Sequence, residues 1–76
     1  MSNPIEIANL LVKTRDDWKD SWVGDILSIW YHPSEKKYVL SGEAPPRRIC
    51  DKRSESEIFQ FIENSGLYIV EEVEYC

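Results

Sequence analysis

Ser54-Glu55-Ser56-Glu57-Ile58-Phe59-Gln60-Phe61-Ile62-Glu63-Asn64-Ser65-Gly66 marks both ends of a helix within itself. Ser54 can cap the N-terminus, and Glu57, three residues on, can return a hydrogen bond to complete a capping box. Glu55 and Glu57 also place negative charge in the first turn, where the helix dipole favours it. Ile58, Phe61 and Ile62 recur at helical spacing and form the buried stripe. Asn64-Ser65-Gly66 is the stop, because Gly66 can take the left-handed conformation at no steric cost. The spacing predicts a helix over about residues 55–64.

Downstream, Leu67 to Tyr75 reads as a final strand. Strict alternation puts Leu67, Ile69, Val73 and Tyr75 on one face and Tyr68, Val70, Glu72 and Glu74 on a wetter one. Upstream, Pro45-Pro46 blocks a helix and disfavours a central strand, so Ile49 and Cys50 are expected to pair only briefly at an edge. Trp22 to Tyr31 is rich in β-branched and aromatic residues and predicts a strand. His32-Pro33-Ser34-Glu35-Lys36 has turn chemistry, and Tyr38 to Ser41, closed by Gly42, completes a hairpin.

Residues 14–21 are polar and read as a loop, or as one helical turn with Trp18 and Trp22 on one face. In Asn3-Pro4-Ile5-Glu6, Asn3 can cap, Pro4 suits a first helical position and Glu6 can close a capping box. Ile7, Leu10 and Leu11 then follow at helical spacing, which predicts a helix over residues 4–12. Ile5-Glu6-Ile7 also alternates, and an extended segment is the competing reading. The expected fold class is α+β: a small, mainly antiparallel sheet of three to four strands with one or two helices on one face, in the order α-β-β-(β)-α-β. Residues 1–76 are read as a single domain.

The chain is acidic, with a formal net charge of −5. An acidic surface repels phosphate, which disfavours nucleic acid and anionic membranes as partners. Residues 47–53 are the exception: Arg47, Arg48, Lys52 and Arg53 stand against the single Asp51. This block could grip phosphate or an acidic protein, or pair with the chain's own carboxylates. No signal-peptide pattern and no membrane-length apolar run occurs, so a cytoplasmic location is expected. Cys50 and Cys76 are too few for a disulfide scaffold, and both thiols are expected to be reduced.

Catalytic signals are sparse. His32 is the only histidine, and a turn position argues for an exposed side chain. Cys50 lies among cations that could lower its thiol pKa, which keeps a thiol-dependent enzyme as one alternative. The plainer reading is a half-buried cysteine that packs as a small hydrophobe. The three glycines, at 24, 42 and 66, leave no material for a phosphate-cradling loop. No cofactor and no metal site are expected.

Trp30 and Phe61 are read as core aromatics, and Trp18 and Tyr68 as the aromatics left outside. The leading reading of function is a noncatalytic protein-binding module. An inhibitor, an immunity protein, a phage-encoded antagonist or a small regulatory subunit would each fit. The expected partner is another protein with a basic surface, such as a nucleic-acid-processing enzyme. The expected partner-binding residues are Tyr68, Val70, Glu72 and Glu74, with Trp18, Arg47 and Arg48. A nucleic-acid contact through residues 47–53 is the other alternative.

Overall fold

A computed structural model describes residues 3–16, 18, 20–43 and 46–76. Five strands and one helix follow in the order β1 (Ile5–Asp16), β2 (Ser21–His32), β3 (Lys37–Glu43), β4 (Pro46–Lys52), α1 (Glu55–Ser65) and β5 (Tyr68–Tyr75). The strands form one sheet in the order β4-β3-β2-β1-β5, and every neighbouring pair is antiparallel. The helix leaves edge strand β4, crosses one face and delivers the chain to the opposite edge, touching β3, β4 and β5. The α+β class holds, with five strands and a single helix.

The helix expected over residues 4–12 is instead the first two-thirds of β1. The reason lies in burial. Ala8, Leu10 and Val12 are all buried, Leu10 and Val12 in one cluster with Ile58 and Ile62 of α1, while Leu11 turns to the other face and is nearly half exposed. That is a period of two, and only a strand delivers it. β1 is hydrogen-bonded on both sides, by β2 and by β5. A helix here would bring Leu10 and Leu11 to one stripe and leave both neighbouring strands without their central partner.

Residues 14–21 also depart from the loop or helical turn expected of them. Arg15 pairs with Trp22 and Asp16 with Ser21, so β1 and β2 form one long hairpin. At its tip, Trp18 N donates to Asp16 Oδ1 at 3.0 Å, and Arg15 pairs with Asp20. Asp20 has φ 49°, a left-handed conformation that Asp tolerates better than most residues. Asp17, Lys19 and Pro45, which belong to the sequence readings of residues 14–21 and of Pro45-Pro46, lie outside the described residues.

The second hairpin forms as expected, with Glu35 N donating to His32 O at 3.1 Å and Lys36 at φ 55°. His32 Nδ1 lies 3.4 Å from Glu35 Oε2, and its side chain is largely covered instead of standing free in the turn. Pro46 opens β4, which is longer than the brief pairing anticipated and carries a bulge between its residues opposite Leu40 and Ser41. Helix α1 keeps its expected caps. Glu57 N donates to Ser54 Oγ at 3.3 Å, Arg53 N donates to Glu57 Oε2 at 3.2 Å, and Gly66 has φ 67°.

The core lies between α1 and the sheet. Ile58 and Ile62 of the helix meet Leu10, Val12, Leu27, Ile29 and Leu40, all buried. Each such side chain contributes about 1.5–3 kcal/mol through burial. Phe61 packs against this cluster as expected. Trp30 does not: it is the cross-strand partner of Glu6 and Val39, on the face that α1 leaves uncovered. None of the described helices is long and apolar enough to cross a membrane.

Candidate protein-interaction surface

The sheet has two faces, and the register assigns residues to each, since cross-strand partners share a face. On the face away from α1 lie the pairs Trp22 with Arg15, Gly24 with Lys13 and Ile69, and Ile26 with Leu11 and Glu72. Next come Ser41, Ser28, Asn9 and Glu74 in one row, then Val39, Trp30 and Glu6 in another. Leu11, Trp22, Ile26 and Ile69 are all exposed. They form an apolar patch on the half of the face nearer the hairpin tip. Beyond them stands Trp18, 98% exposed.

A polar row bounds the patch. Ser28, fully buried, donates from Oγ to Asn9 Oδ1 at 2.9 Å and bonds Glu43 as well. Asn9 Nδ2 donates to Glu6 Oε1 at 3.3 Å, and Cys76 Sγ donates to the same oxygen at 3.1 Å. Carboxylates border the apolar patch at Glu43 on β3 and at Glu71, Glu72 and Glu74 on β5, while Lys13 and Arg15 share its rows as the cross-strand partners of Gly24 and Trp22. Lys13 Nζ lies 3.9 Å from Glu71 Oε2, and both side chains are about half exposed. Such pairs contribute little to stability.

The expected partner-binding set does not assemble in one place. The predicted common face of Tyr68, Val70, Glu72 and Glu74 is broken by a bulge. Val12 pairs with Val70 and Leu11 with Glu72, so Glu71 is the extra residue. One inserted residue exchanges the faces of everything after it. Tyr68 and Val70 consequently lie on the helix side, in a cleft with Phe59 and Ile62, and Tyr68 packs against the core instead of remaining outside it. Glu72 and Glu74 lie on the uncovered face with Ile69. Trp18 is at the hairpin tip.

Arg47 and Arg48 are on β4, at the opposite edge of the sheet from β5. Their block is engaged with the chain itself. Arg48 Nη2 lies 3.4 Å from Glu35 Oε2 and Nη1 lies 3.9 Å from Asp51 Oδ2. Lys52 Nζ stands 5.7 Å from the centroid of the Phe61 ring. Arg47 lies across Gly42, so close that an added Cβ there would come within 2.6 Å of Nη1.

Cys50 is half-buried between these cations and the core. Burial pushes its thiol pKa up, against the smaller downward pull of Lys52. The Cys76 thiol is also pushed up, first by its hydrogen bond to Glu6. Among the described residues no three His, Cys, Asp or Glu side chains converge as a metal site would require.

The residues missed in the sequence are Leu11, Trp22, Gly24, Ile26 and Ile69. A signal for three of them existed: Trp22, Gly24 and Ile26 alternate against Val23, Asp25 and Leu27. Neither a family model, nor a curated protein, nor a solved structure matches the chain.

Proposed function

We propose that this chain is a noncatalytic protein-binding module that docks its uncovered sheet face on a larger protein with a basic surface, in the cytoplasm and without a cofactor. The observation that carries this reading is the exposed patch of Leu11, Trp22, Ile26 and Ile69, bordered by Glu43, Glu71, Glu72 and Glu74 and interleaved with Lys13 and Arg15. An apolar centre with a polar, charged rim is the usual anatomy of a protein interface. The exposed Trp18 extends that surface, and Trp is the residue most enriched among binding anchors. The acidic margin selects a basic partner and speeds encounter with it. Internal pairing of Arg48 and the stacking of Lys52 on Phe61 count against nucleic acid as the ligand. The raised Cys50 pKa counts against an activated thiol.

The test is a comparative capture from a host lysate at low salt. Immobilised protein should retain a partner that elutes as salt rises, and the double variant Leu11→Asp, Ile26→Asp should lose it while keeping its circular dichroism spectrum. Retention of the same proteins by both baits, or no salt-sensitive protein on the parent bait, would refute the reading.

A further inference from the structure

The uncovered face contains a glycine that the fold does not need. Gly24 sits inside β2 without the positive φ that makes glycine necessary elsewhere, and a Cβ added to it would meet no atom within 4 Å. A glycine inside a strand weakens the sheet and often marks a bulge, a tight bend or the close approach of a ligand or another backbone; the β1–β2 register has no shift at Gly24.

The space left by its missing side chain is the floor of a groove of about 400 Å³, lined by Leu11, Val12, Gly24, Asp25, Ile26, Glu43 and Glu71. Its lining is largely hydrocarbon, with Glu43 and Glu71 among it. β2 is also open along this stretch. Among the described residues, β3 pairs with β2 only from Leu27 to His32, so Ser21–Ile26 run on beyond the end of β3. Ile26 N is bonded to the side chain of Asp25 at 2.8 Å, which identifies that amide as one facing away from the β1 ladder.

We propose that this groove receives one bulky apolar side chain of the partner protein, seated over Gly24 and flanked in the partner's sequence by Lys or Arg. This assignment rests on the reading of the chain as a protein-binding module and names its docking point. Charge complementarity selects the flanks: Glu43 and Glu71 line the groove, Asp25 lies at the open edge of β2 with its carboxylate on Ile26 N, and Lys13, paired with Glu71, is the cation beside it. Volume selects the anchor, since an aromatic or large aliphatic side chain fills the groove and a methyl group does not.

The probe is the peptide Lys-Lys-Trp-Lys-Lys, titrated into isotope-labelled protein and followed by amide NMR. With three glycines in the chain, the Gly24 signal is readily assigned. Saturable shifts are expected at Gly24, Leu11 and Ile26. Lys-Lys-Ala-Lys-Lys and Glu-Glu-Trp-Glu-Glu should leave those signals in place. Gly24→Phe fills the groove from within and should weaken the Trp peptide about tenfold or more, with no fall in melting temperature. Leu11→Asp, at an exposed position, is the second variant and should also abolish the shifts.

Equal shifts from the Ala or Glu peptides would overturn the proposal, as would unchanged affinity in Gly24→Phe. The capture experiment separates the two levels. A salt-sensitive partner still retained by Gly24→Phe would remove the groove and leave the module; no salt-sensitive partner on the parent bait would remove the module.

Discussion

Leu10 and Leu11 are chemically identical neighbours with opposite fates. Leu10 is fully buried under α1 and Leu11 faces away from it. Leu10→Ala should therefore destabilise the protein by about 2–5 kcal/mol, the cost of lost burial plus a cavity. Leu11→Ala should cost no more than about 0.5 kcal/mol, as surface substitutions do. Urea titrations with unchanged slope would measure both, and equal costs would contradict the strand. The cysteines give a second test at this scale. The raised Cys50 pKa leaves less thiolate near neutrality, so iodoacetamide should modify Cys50 more slowly in the folded protein than in the urea-unfolded chain at the same pH. Faster modification of the folded form would reverse the assignment. Both thiols are expected to be reduced, and the sheet geometry bears on the one bond they could form with each other. Cys50 shares a cross-strand row with Leu40, Ile29, Ala8 and Tyr75. Four strand spacings place it about 19 Å from Tyr75, and Cys76 follows next in the chain. A disulfide tolerates about 7 Å between Cα atoms. The folded chain cannot close this bond in any compartment.

The elements differ in how far their own residues announce them. Helix α1 was legible because both its ends are punctuated locally, by Ser54 and Gly66. β2 and β3 were legible because their composition favours strands and His32–Lys36 favours a turn. β1 was not, because Asn3, Pro4 and Glu6 imitate a helix start, and what decides against a helix is the presence of β2 and β5 on either side. The β5 bulge was invisible for a related reason. Val70-Glu71-Glu72-Val73 alternates acceptably in either register, and only the fit of Val70 to Val12 and Val73 to Leu10 shows where the extra residue goes. The candidate surface was half legible for that reason: Glu72 and Glu74 belong to it, while Tyr68 and Val70 belong to the other side. Once a partner is in hand, reversing Glu72 and Glu74 to Lys together should lower the association rate and much of its salt dependence, with little change in melting temperature. Stopped-flow measurements at two salt concentrations would decide it, and an unchanged rate at low salt would exclude this strand from the interface.

At the scale of the molecule, the two faces divide the labour. One face packs against α1 and holds most of the core, and the other exposes Leu11, Trp22, Ile26 and Ile69 while burying Ser28 and Val39. The strand order β4-β3-β2-β1-β5 carries a further consequence, which concerns the rate of folding. Read across the sheet, β5-β1-β2-β3-β4 would be an unbroken meander of adjacent hairpins if β5 came first. It comes last, so Ala8 must find Tyr75 and Thr14 must find Tyr68 across nearly the whole chain. Such distant pairings slow folding, because the loop entropy is lost before any contact compensates it. Cys76 N already donates to Ile7 O at 3.0 Å, which brings the two ends of the described chain together. A circular permutant that joins Cys76 to Asn3 through a short glycine linker and opens between Lys52 and Ser54 would make every strand pair a local hairpin. It should refold faster than the parent in stopped-flow fluorescence while unfolding at a similar rate. Equal refolding rates would show that the β1–β5 pairing forms only after the barrier has been crossed.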